Sequence, residues 1–302
     1  MTAAATHRRT SRHLPGGAKC VRLAKACLVT VVLAVTVHAA PAPAQEPDRQ
    51  LPQPVARTKR SDGPTLERGN KALAAARLRQ QTAPSLDSER AVAQEYVAAG
   101  VLDAAFDHFT AALVFDPCDV PSLDGLARIW REWGYLDRAL PLAYQAVYWA
   151  PASAAAQNTL GSVLLKLGVA GAARDRFETA HQLAPAAAYP LTNLCYLELQ
   201  QGNVAAAIPL CSEAAALDVD DLAEVRNNLA LSLALHGDLD ASLVAFERGA
   251  SPAVAAYNHG ILLLAARQFG RARDAFARSR NADPAFAPAL LRLRQLARLE
   301  AK

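Results

Sequence analysis

The feature that most constrains the fold of this 302-residue sequence is a spacing of 34 residues. Glycine, alanine and proline all recur at this interval between residues 100 and 214. The four series are Gly100, Gly134, Gly168 and Gly202; Ala105, Ala139, Ala173 and Ala207; Ala112, Ala146, Ala180 and Ala214; and Pro117, Pro151 and Pro185. A fixed interval of this size is typical of chains built from stacked copies of one small unit. We therefore expect an array in which each unit packs on its neighbours.

The most regular copy, residues 154–187, explains the interval physically. Its key positions are Leu160, Gly161, Gly168, Ala173, Phe177, Ala180 and Pro185. The small residues let two helices approach closely, and the leucine and phenylalanine fill the space between them. The glycine makes the turn, and the proline ends the second helix. These positions resemble the tetratricopeptide-repeat (TPR) family, and the resemblance implies an all-α TPR α-solenoid, a right-handed superhelix of antiparallel helix pairs.

The same register extends along the chain and predicts six repeats over residues 86–286. Their bounds are 86–119, 120–153, 154–187, 188–221, 223–252 and 253–286. The fifth repeat is irregular, because its second helix reaches Ser251-Pro252 about two residues early, and in the sixth Arg267 replaces the turn glycine. Residues 287–302 are predicted to form a C-terminal capping helix. Its leucines are Leu290, Leu293, Leu296 and Leu299, and its outer face is rich in arginine.

The first 44 residues have the pattern of a secretory signal. They contain six basic residues and no acidic one, followed by the apolar run Ala26–Val37 and the small residues Ala42-Pro43-Ala44. The run is shorter than the roughly 20 residues of a membrane-spanning helix. We expect cleavage near Ala44 and export to the periplasm or cell envelope. Retention of the segment as an N-terminal anchor is the alternative.

Residues 45–64 and 65–85 precede the repeats. The first segment is proline-rich with few apolar residues, so we expect a flexible linker. The second is predicted to contain an N-terminal helix from Thr65 to Gln81 and a connector. The basic face of this helix is most simply solvated, and peripheral association with a membrane surface is the alternative.

Charge and motifs exclude several function classes. The chain has 32 basic and 28 acidic residues, and six of the basic ones lie in the predicted signal, so nothing indicates nucleic-acid binding. The high content of alanine and arginine favours a bacterial source. The histidines after the signal, which are His108, His181, His236 and His259, occupy unrelated repeat positions. With no hydrolase, metal-binding or phosphate-binding motif, we expect no enzyme activity, no cofactor, no metal and no small-molecule substrate.

The TPR resemblance implies that partners bind the inner face of the array, which the first helix of each repeat lines. In this register the candidate binding residues are Arg128, Arg131, Asn158, Lys166, Asn193, Tyr196, Asn227 and Tyr257. The basic side chains favour a segment with acidic character, and asparagine amides can pair with the main chain of an extended peptide. Solvation alone is the alternative explanation of the amides. The carboxylate clamp of chaperone-binding TPR domains is not reproduced.

Two further features are set by the register. The second repeat contains all three tryptophans, mostly at core positions, whereas Tyr148 and Trp149 end its second helix and offer an outer surface for a partner. Cys195 and Cys211 are predicted to face each other within the fourth repeat. They are either a disulfide or two buried thiols. The sequence assigns no partner to Cys118.

The predicted function is an exported scaffold that recruits a protein or peptide into a bacterial envelope assembly. Residues 225–277 are similar to TPR accessory proteins of tight-adherence (Flp/Tad) pilus loci, which implies a role in pilus or secretion-system biogenesis. An adaptor that regulates cell-wall or outer-membrane enzymes is the alternative within the same class. A carbohydrate-binding or hydrolytic protein that uses the aromatic residues is the alternative of another class.

Overall fold

The computed structural model describes residues 69–217 and 223–300. Within these ranges every regular element is an α-helix, and short turns join the helices. The prediction of an all-α fold is therefore confirmed. The predicted signal (1–44) and linker (45–64) lie outside the described residues.

The helices of the described residues divide between two compact units, Met1–Trp149 and Ala150–Lys302. In the first unit they are α1 (Lys71–Thr82), α2 (Leu86–Ala98), α3 (Leu102–Phe115), α4 (Val120–Glu132) and α5 (Leu136–Trp149). In the second they are α6 (Ala154–Lys166), α7 (Ala170–Leu183), α8 (Ala188–Gln200), α9 (Val204–Leu217), α10 (Ala223–His236), α11 (Leu239–Gly249), α12 (Pro252–Ala265), α13 (Phe269–Ala282) and α14 (Ala287–Glu300).

In the first unit, α2 pairs with α3 and α4 pairs with α5, while α1 packs on α2. Leu73, Val92 and Phe109 are buried in its core. Residues 65–68 of the predicted N-terminal helix lie outside the described residues, and α1 begins at Lys71. The side chain of Asn70 accepts a hydrogen bond from the Leu73 amide and so caps the helix there.

In the second unit, four consecutive pairs run from α6/α7 to α12/α13, and α14 packs on α13. Close approach within a pair depends on glycine. A Cβ atom added at Gly161 would lie 2.7 Å from the Phe177 ring, and one added at Gly260 would lie 2.7 Å from the Phe276 ring. Both phenylalanines are fully buried. These glycines therefore set how closely the two helices of each pair can pack.

The turns between paired helices use a left-handed residue. Gly168 and Gly202 have φ angles of 79° and 76°, which glycine adopts without steric cost. In the sixth repeat Arg267 occupies the matching position with φ of 58°. The substitution noticed in the sequence thus leaves the turn conformation unchanged, and a residue with a Cβ atom adopts it at a cost in backbone strain.

The fifth repeat has a shortened second helix. α11 has 11 residues, whereas α9 and α13 on either side have 14. Ser251 then caps α12 by accepting a hydrogen bond from the Val254 amide. Pro252 occupies the first turn, where a backbone N–H group would have no acceptor within the helix, so its absence costs nothing. The irregular spacing in the sequence therefore corresponds to a helix that ends early.

Candidate functional site

The predicted binding residues Asn158 and Asn193 contact each other. Asn158 lies on α6 and Asn193 on α8, the first helices of consecutive repeats, and the Asn193 Nδ2 donates to the Asn158 Oδ1 at 2.7 Å. Both side chains are partly exposed. The bond uses one donor of Asn193 and one acceptor of Asn158, so Asn158 retains its N–H groups and Asn193 retains its carbonyl oxygen. The pair can therefore both donate to and accept from a third group.

Helix structure fixes the direction of these amides. Ser153 caps α6 by accepting from the Ala156 amide, and Leu160 is buried on the side of the helix that faces α7. Asn158 lies two residues earlier and therefore projects from a different face. The neighbouring Ser162 hydroxyl is bonded to the Asn158 carbonyl oxygen, so it is already used by the helix.

An exposed aromatic ring extends this surface along α8. Tyr196 lies one turn after Asn193, is 43% exposed, and accepts a hydrogen bond through its hydroxyl from the Gln200 amide at 2.8 Å. Lys166, at the end of α6, is exposed. We name the surface formed by Asn158, Asn193, Tyr196 and Gln200 the amide face. It combines amide groups with a flat apolar ring.

The next first helix, α10, packs against α8 and carries two further asparagines. Asn227, a predicted binding residue, is exposed. Asn228 is partly buried, and its Nδ2 has no hydrogen-bond partner among the described residues. An unpartnered buried donor is unfavourable, so Asn228 has a donor to offer to an incoming carbonyl group.

Three further predicted binding residues are not part of the amide face. Arg128 is an exposed residue of α4 in the first unit, and Arg131 of the same helix is held by an ion pair to Glu132 at 2.6 Å. Tyr257, on α12, packs edge to face with Phe286 at 5.4 Å. Its ring forms one wall of a cavity against the last helix, α14.

An ion pair joins the two repeats that form the amide face. The Arg174 guanidinium on α7 lies 2.5 Å from the Glu198 carboxylate on α8, and the Asn203 Nδ2 donates to the same carboxylate at 2.9 Å. The hydrogen bond from Arg174 lowers the pKa of Glu198 below its usual value; Asn203 also lowers it, and burial partly opposes both. The carboxylate is thus held in its charged form.

Cys195 and Cys211 lie opposite each other beneath the amide face. The structure has them bonded through their sulfurs, with 5.3 Å between the Cα atoms. This distance is within the usual range for a disulfide. Both residues are buried on α8 and α9, so the bond links the two helices of the fourth repeat.

Two of the isolated histidines, His108 and His259, have structural surroundings. His108 lies 2.6 Å from the Glu89 carboxylate and stacks on Tyr96. His259 is buried on α12, 3.5 Å from the Ser242 hydroxyl. Burial lowers the pKa of His259, nearby arginines lower it further, and Asp240 opposes the shift. A neutral imidazole buried beside a hydroxyl is a packing element.

The aromatic cluster of the second repeat is largely packed. Trp130 contacts Phe106, Trp133 and Tyr135, with ring centroids 5.1 to 5.4 Å apart. Tyr148 and Trp149 form a separate edge-to-face pair at 4.9 Å, and Tyr148 is 54% exposed. The outer surface proposed from the sequence thus consists of one exposed ring and its neighbour.

The described ranges 69–217 and 223–300 contain neither a cluster of metal ligands nor a membrane-spanning helix. No group of three or more metal-ligating side chains occurs there. None of the helices in these ranges has the length and apolar character needed to cross a bilayer.

Known proteins resemble the chain in structure. No protein-family model matches the chain, and no curated protein matches it in sequence. Among solved structures, the APC/C hetero-tetramer Cut9–Hcn1 aligns with a TM-score of 0.61 and 18% identity over 75% of this chain. This chain covers 46% of that protein, less than half of its length.

Two bacterial structures align over most of their own length. A tetratricopeptide-repeat protein from Parabacteroides merdae has a TM-score of 0.54 and 15% identity, covering 77% of this chain and 94% of that one. PilF of Pseudomonas aeruginosa has a TM-score of 0.54 and 18% identity, covering 70% of this chain and 97% of that one. The likeness shows the fold, and the prediction of a TPR α-solenoid is confirmed.

Proposed function

We propose that this chain, which has the TPR fold, is a scaffold that binds an extended segment of a partner protein on the amide face. The observation that carries the proposal is the hydrogen bond between Asn158 and Asn193. It aligns amides of consecutive repeats so that one presents donors and the other an acceptor. A peptide main chain offers both kinds of group along its length.

The surroundings of the amide face suit such a ligand. Tyr196 supplies a flat, half-exposed ring for an apolar side chain, and Lys166 supplies a positive charge nearby. Asn228 has an unmet donor on the following first helix. We expect a ligand of acidic character whose main chain follows the direction from α6 to α10.

Packing beneath the amide face keeps its helices in place. The Arg174–Glu198 ion pair joins α7 to α8, and the Cys195–Cys211 contact joins α8 to α9. A surface held in this way loses little conformational entropy when a ligand binds, because its backbone is already ordered.

We further propose that the scaffold acts in the bacterial envelope, as part of a pilus or secretion-system assembly. The basic and apolar pattern of residues 1–44 supports export with cleavage near Ala44. The likeness to PilF of Pseudomonas aeruginosa is compatible with a pilus role, although at 18% identity it concerns the fold alone. Intact-mass measurement of the exported protein should give a chain that begins at Gln45; retention of residues 1–44 in a membrane fraction would contradict the proposal.

Capture from an envelope extract tests the binding surface. The full chain should capture the same partners as a control variant, Asn281→Ala, which removes an exposed amide from α13. The triple variant Asn158→Ala, Asn193→Ala and Tyr196→Ala should lose them. Removing both members of a hydrogen-bonded pair is close to neutral for stability, so the variant should melt at nearly the wild-type temperature.

The opposite result is equally clear. If the folded triple variant captures every partner with wild-type affinity, binding does not occur on the amide face. Retained binding that is instead lost on replacing Tyr148 and Trp149 would assign it to the outer surface of the second repeat.

A further inference from the structure

The last helix, α14, is exposed where the corresponding first helix is covered. It follows α12 at the 34-residue interval. By this interval Leu290, Arg294 and Ala297 match Ala256, Gly260 and Leu263 of α12. The three α12 residues are buried in the pair with α13, whereas the three α14 residues are exposed. The structure thus ends on a first helix whose usual covering helix is absent from the described residues.

The leucines of the capping helix differ in exposure. Ala289 and Leu296 are buried, but Leu290 is 37% exposed. Leu291, its neighbour, is 57% exposed. Two adjacent leucines cannot lie on the same face of a helix, so Leu291 projects away from the packed side.

A cavity of about 570 Å³ lies between α14 and the preceding first helix, α12. We name it the C-terminal groove; its lining includes Tyr257, Pro288, Leu290, Leu291, Arg294 and Gln295. The Tyr257 ring is fixed by contacts with Phe276 at 5.6 Å and Phe286 at 5.4 Å. One wall of the groove is therefore rigid before any ligand arrives, and its floor contains exposed leucines.

Charge distinguishes between the occupants that could cover this surface. Arg292, Arg294 and Arg298 all lie on α14, and none of them has an ion-pair partner in residues 69–217 and 223–300. A second copy of the chain docked through α14 would bring these arginines against one another. Like charges at an interface oppose association, whereas carboxylates would pair with them.

Arg294 also restricts how a covering helix can pack. On α12 the matching residue is Gly260, which leaves room for the Phe276 ring of the covering helix. At the equivalent position of α14, Arg294 carries a long, exposed side chain. A helix that covers α14 must therefore place a group that pairs with guanidinium, and not an aromatic ring, at this position.

We propose that the C-terminal groove binds an amphipathic helix of a partner protein, whose apolar side chains cover Leu290 and Leu291 and whose carboxylate pairs with Arg294. Leu290 and Arg294 match α12 residues that a second helix covers in the preceding repeat, so a helix is the occupant that fits their geometry. This goes beyond the amide face, since the groove lies on a different helix and its ligand is helical.

A displayed library of helical peptides, randomised on one face, tests the proposal by selection against the full chain. We expect enriched peptides to combine an apolar stripe at i, i+3 or i+4 and i+7 with aspartate or glutamate beside it. Fluorescence polarisation then gives their affinities. Arg294→Glu should weaken binding by roughly tenfold or more, since it turns an attraction into a repulsion. Leu291→Gln should weaken it as well.

The matched control is Arg280→Glu, which makes the same charge change at an exposed site on α13. It should leave the affinity of the enriched peptides unchanged. All substituted side chains are exposed, and equal melting temperatures would show that the variants are folded. The variant of the amide face should bind these peptides as the wild type does, so failure of one proposal is separable from failure of the other.

Three results would overturn the proposal. The first is that the selection yields no peptide that binds. The second is that enriched peptides lack acidic residues or bind the Arg294→Glu variant as tightly as the wild type. The third is a dimer in sedimentation experiments that Leu291→Gln dissociates, because this would assign the C-terminal groove to a second copy of the chain.

Discussion

The Arg174 guanidinium and the Glu198 carboxylate lie 2.5 Å apart and join the second helix of one repeat to the first helix of the next. Glu198 is almost fully buried, and about a third of the Arg174 side chain is exposed. Arg174→Met should destabilise the fold by about 1–2 kcal/mol. It leaves a buried carboxylate with Asn203 alone, and solvent near Arg174 reduces the cost below that of a fully buried pair.

A double-mutant cycle measures this coupling. Arg174→Met combined with Glu198→Gln should cost less than the sum of the two single changes, because no charge is left unpaired. The lowered pKa of Glu198 means that its contribution is present above the unfolded value near 4.3 and is lost as the pH falls through the folded value. Additive effects in urea unfolding at pH 7 would show that the pair does not couple the repeats.

Gly161 and Gly171 make a matched pair of substitutions. Gly161→Ala should destabilise the fold by about 1–3 kcal/mol, because the new methyl group would overlap the Phe177 ring. Gly171→Ala adds the same methyl group on α7, where nothing lies within 4 Å, and should be neutral or stabilising by up to about 1 kcal/mol. Thermal unfolding of both variants decides the point, and equal effects would contradict the packing described here.

His259 should make stability depend on pH. Burial, Arg271 and Arg278 lower its folded pKa against the opposing effect of Asp240, so the unfolded chain binds the proton more readily. Its contribution is complete above the unfolded value of about 6.5 and is lost as the pH falls through the folded value. Urea unfolding should show a smaller loss between pH 7.5 and 5 in His259→Gln than in the wild type. Parallel pH profiles would contradict this.

Cys195 and Cys211 are expected to be oxidised in the exported protein. After alkylation without reductant, the intact mass should show that neither Cys195 nor Cys211 is alkylated. Alkylation of both would exclude the bond. The two are 16 residues apart, so reduction should lower the stability by about 3 kcal/mol in the chain-entropy description. The double variant Cys195→Ala, Cys211→Ala should no longer show the loss of stability on reduction that this bond causes in the wild type.

The Arg267 turn offers a stabilising change. Its φ of 58° is costly for a residue with a Cβ atom, whereas glycine occupies the matching turns at Gly168 and Gly202. Arg267→Gly should raise stability by up to about 1 kcal/mol, since relief of strain exceeds the added entropy of the unfolded chain. A lower melting temperature would show that the arginine side chain makes a compensating contact.

The 34-residue interval was sufficient to predict the fold because it reports the packing of small residues. Close approach of two helices requires a glycine at Gly161, and the turn conformation favours one at Gly168. Both requirements can be inferred from the residue type. Local hydrogen bonding was also predictable in part: Asp238 caps α11 by accepting from the Ala241 amide, as its position at a helix start indicates.

Contacts between repeats were harder to predict. The Asn158–Asn193 bond connects two residues that the sequence had placed on one face, but it depends on side-chain orientation that the interval does not specify. The Arg174–Glu198 pair was missed, because many charged residues on adjacent helices could have paired. Arg131, a predicted binding residue, also forms an ion pair with the neighbouring Glu132, which the interval does not indicate.

The C-terminal groove was missed for a different reason. Adjacent residues of a helix project in different directions, so the pair Leu290 and Leu291 was the signal that one leucine must face outward. The contribution of Tyr257 to the same cavity depends on how α12 and α14 pack, which no interval in the sequence encodes.

The early end of α11 bears on what kind of ligand can follow the array. Asn158, Asn193 and Asn228 are separated by equal numbers of residues. A partner with evenly spaced contact groups could therefore contact all three amides. Because of the shortened repeat, α12 begins fewer residues after α10 than α10 does after α8. A partner whose contact groups match α6, α8 and α10 would therefore not match α12. In the proposed complex, the shortened repeat therefore limits the number of evenly spaced contacts that a ligand can make.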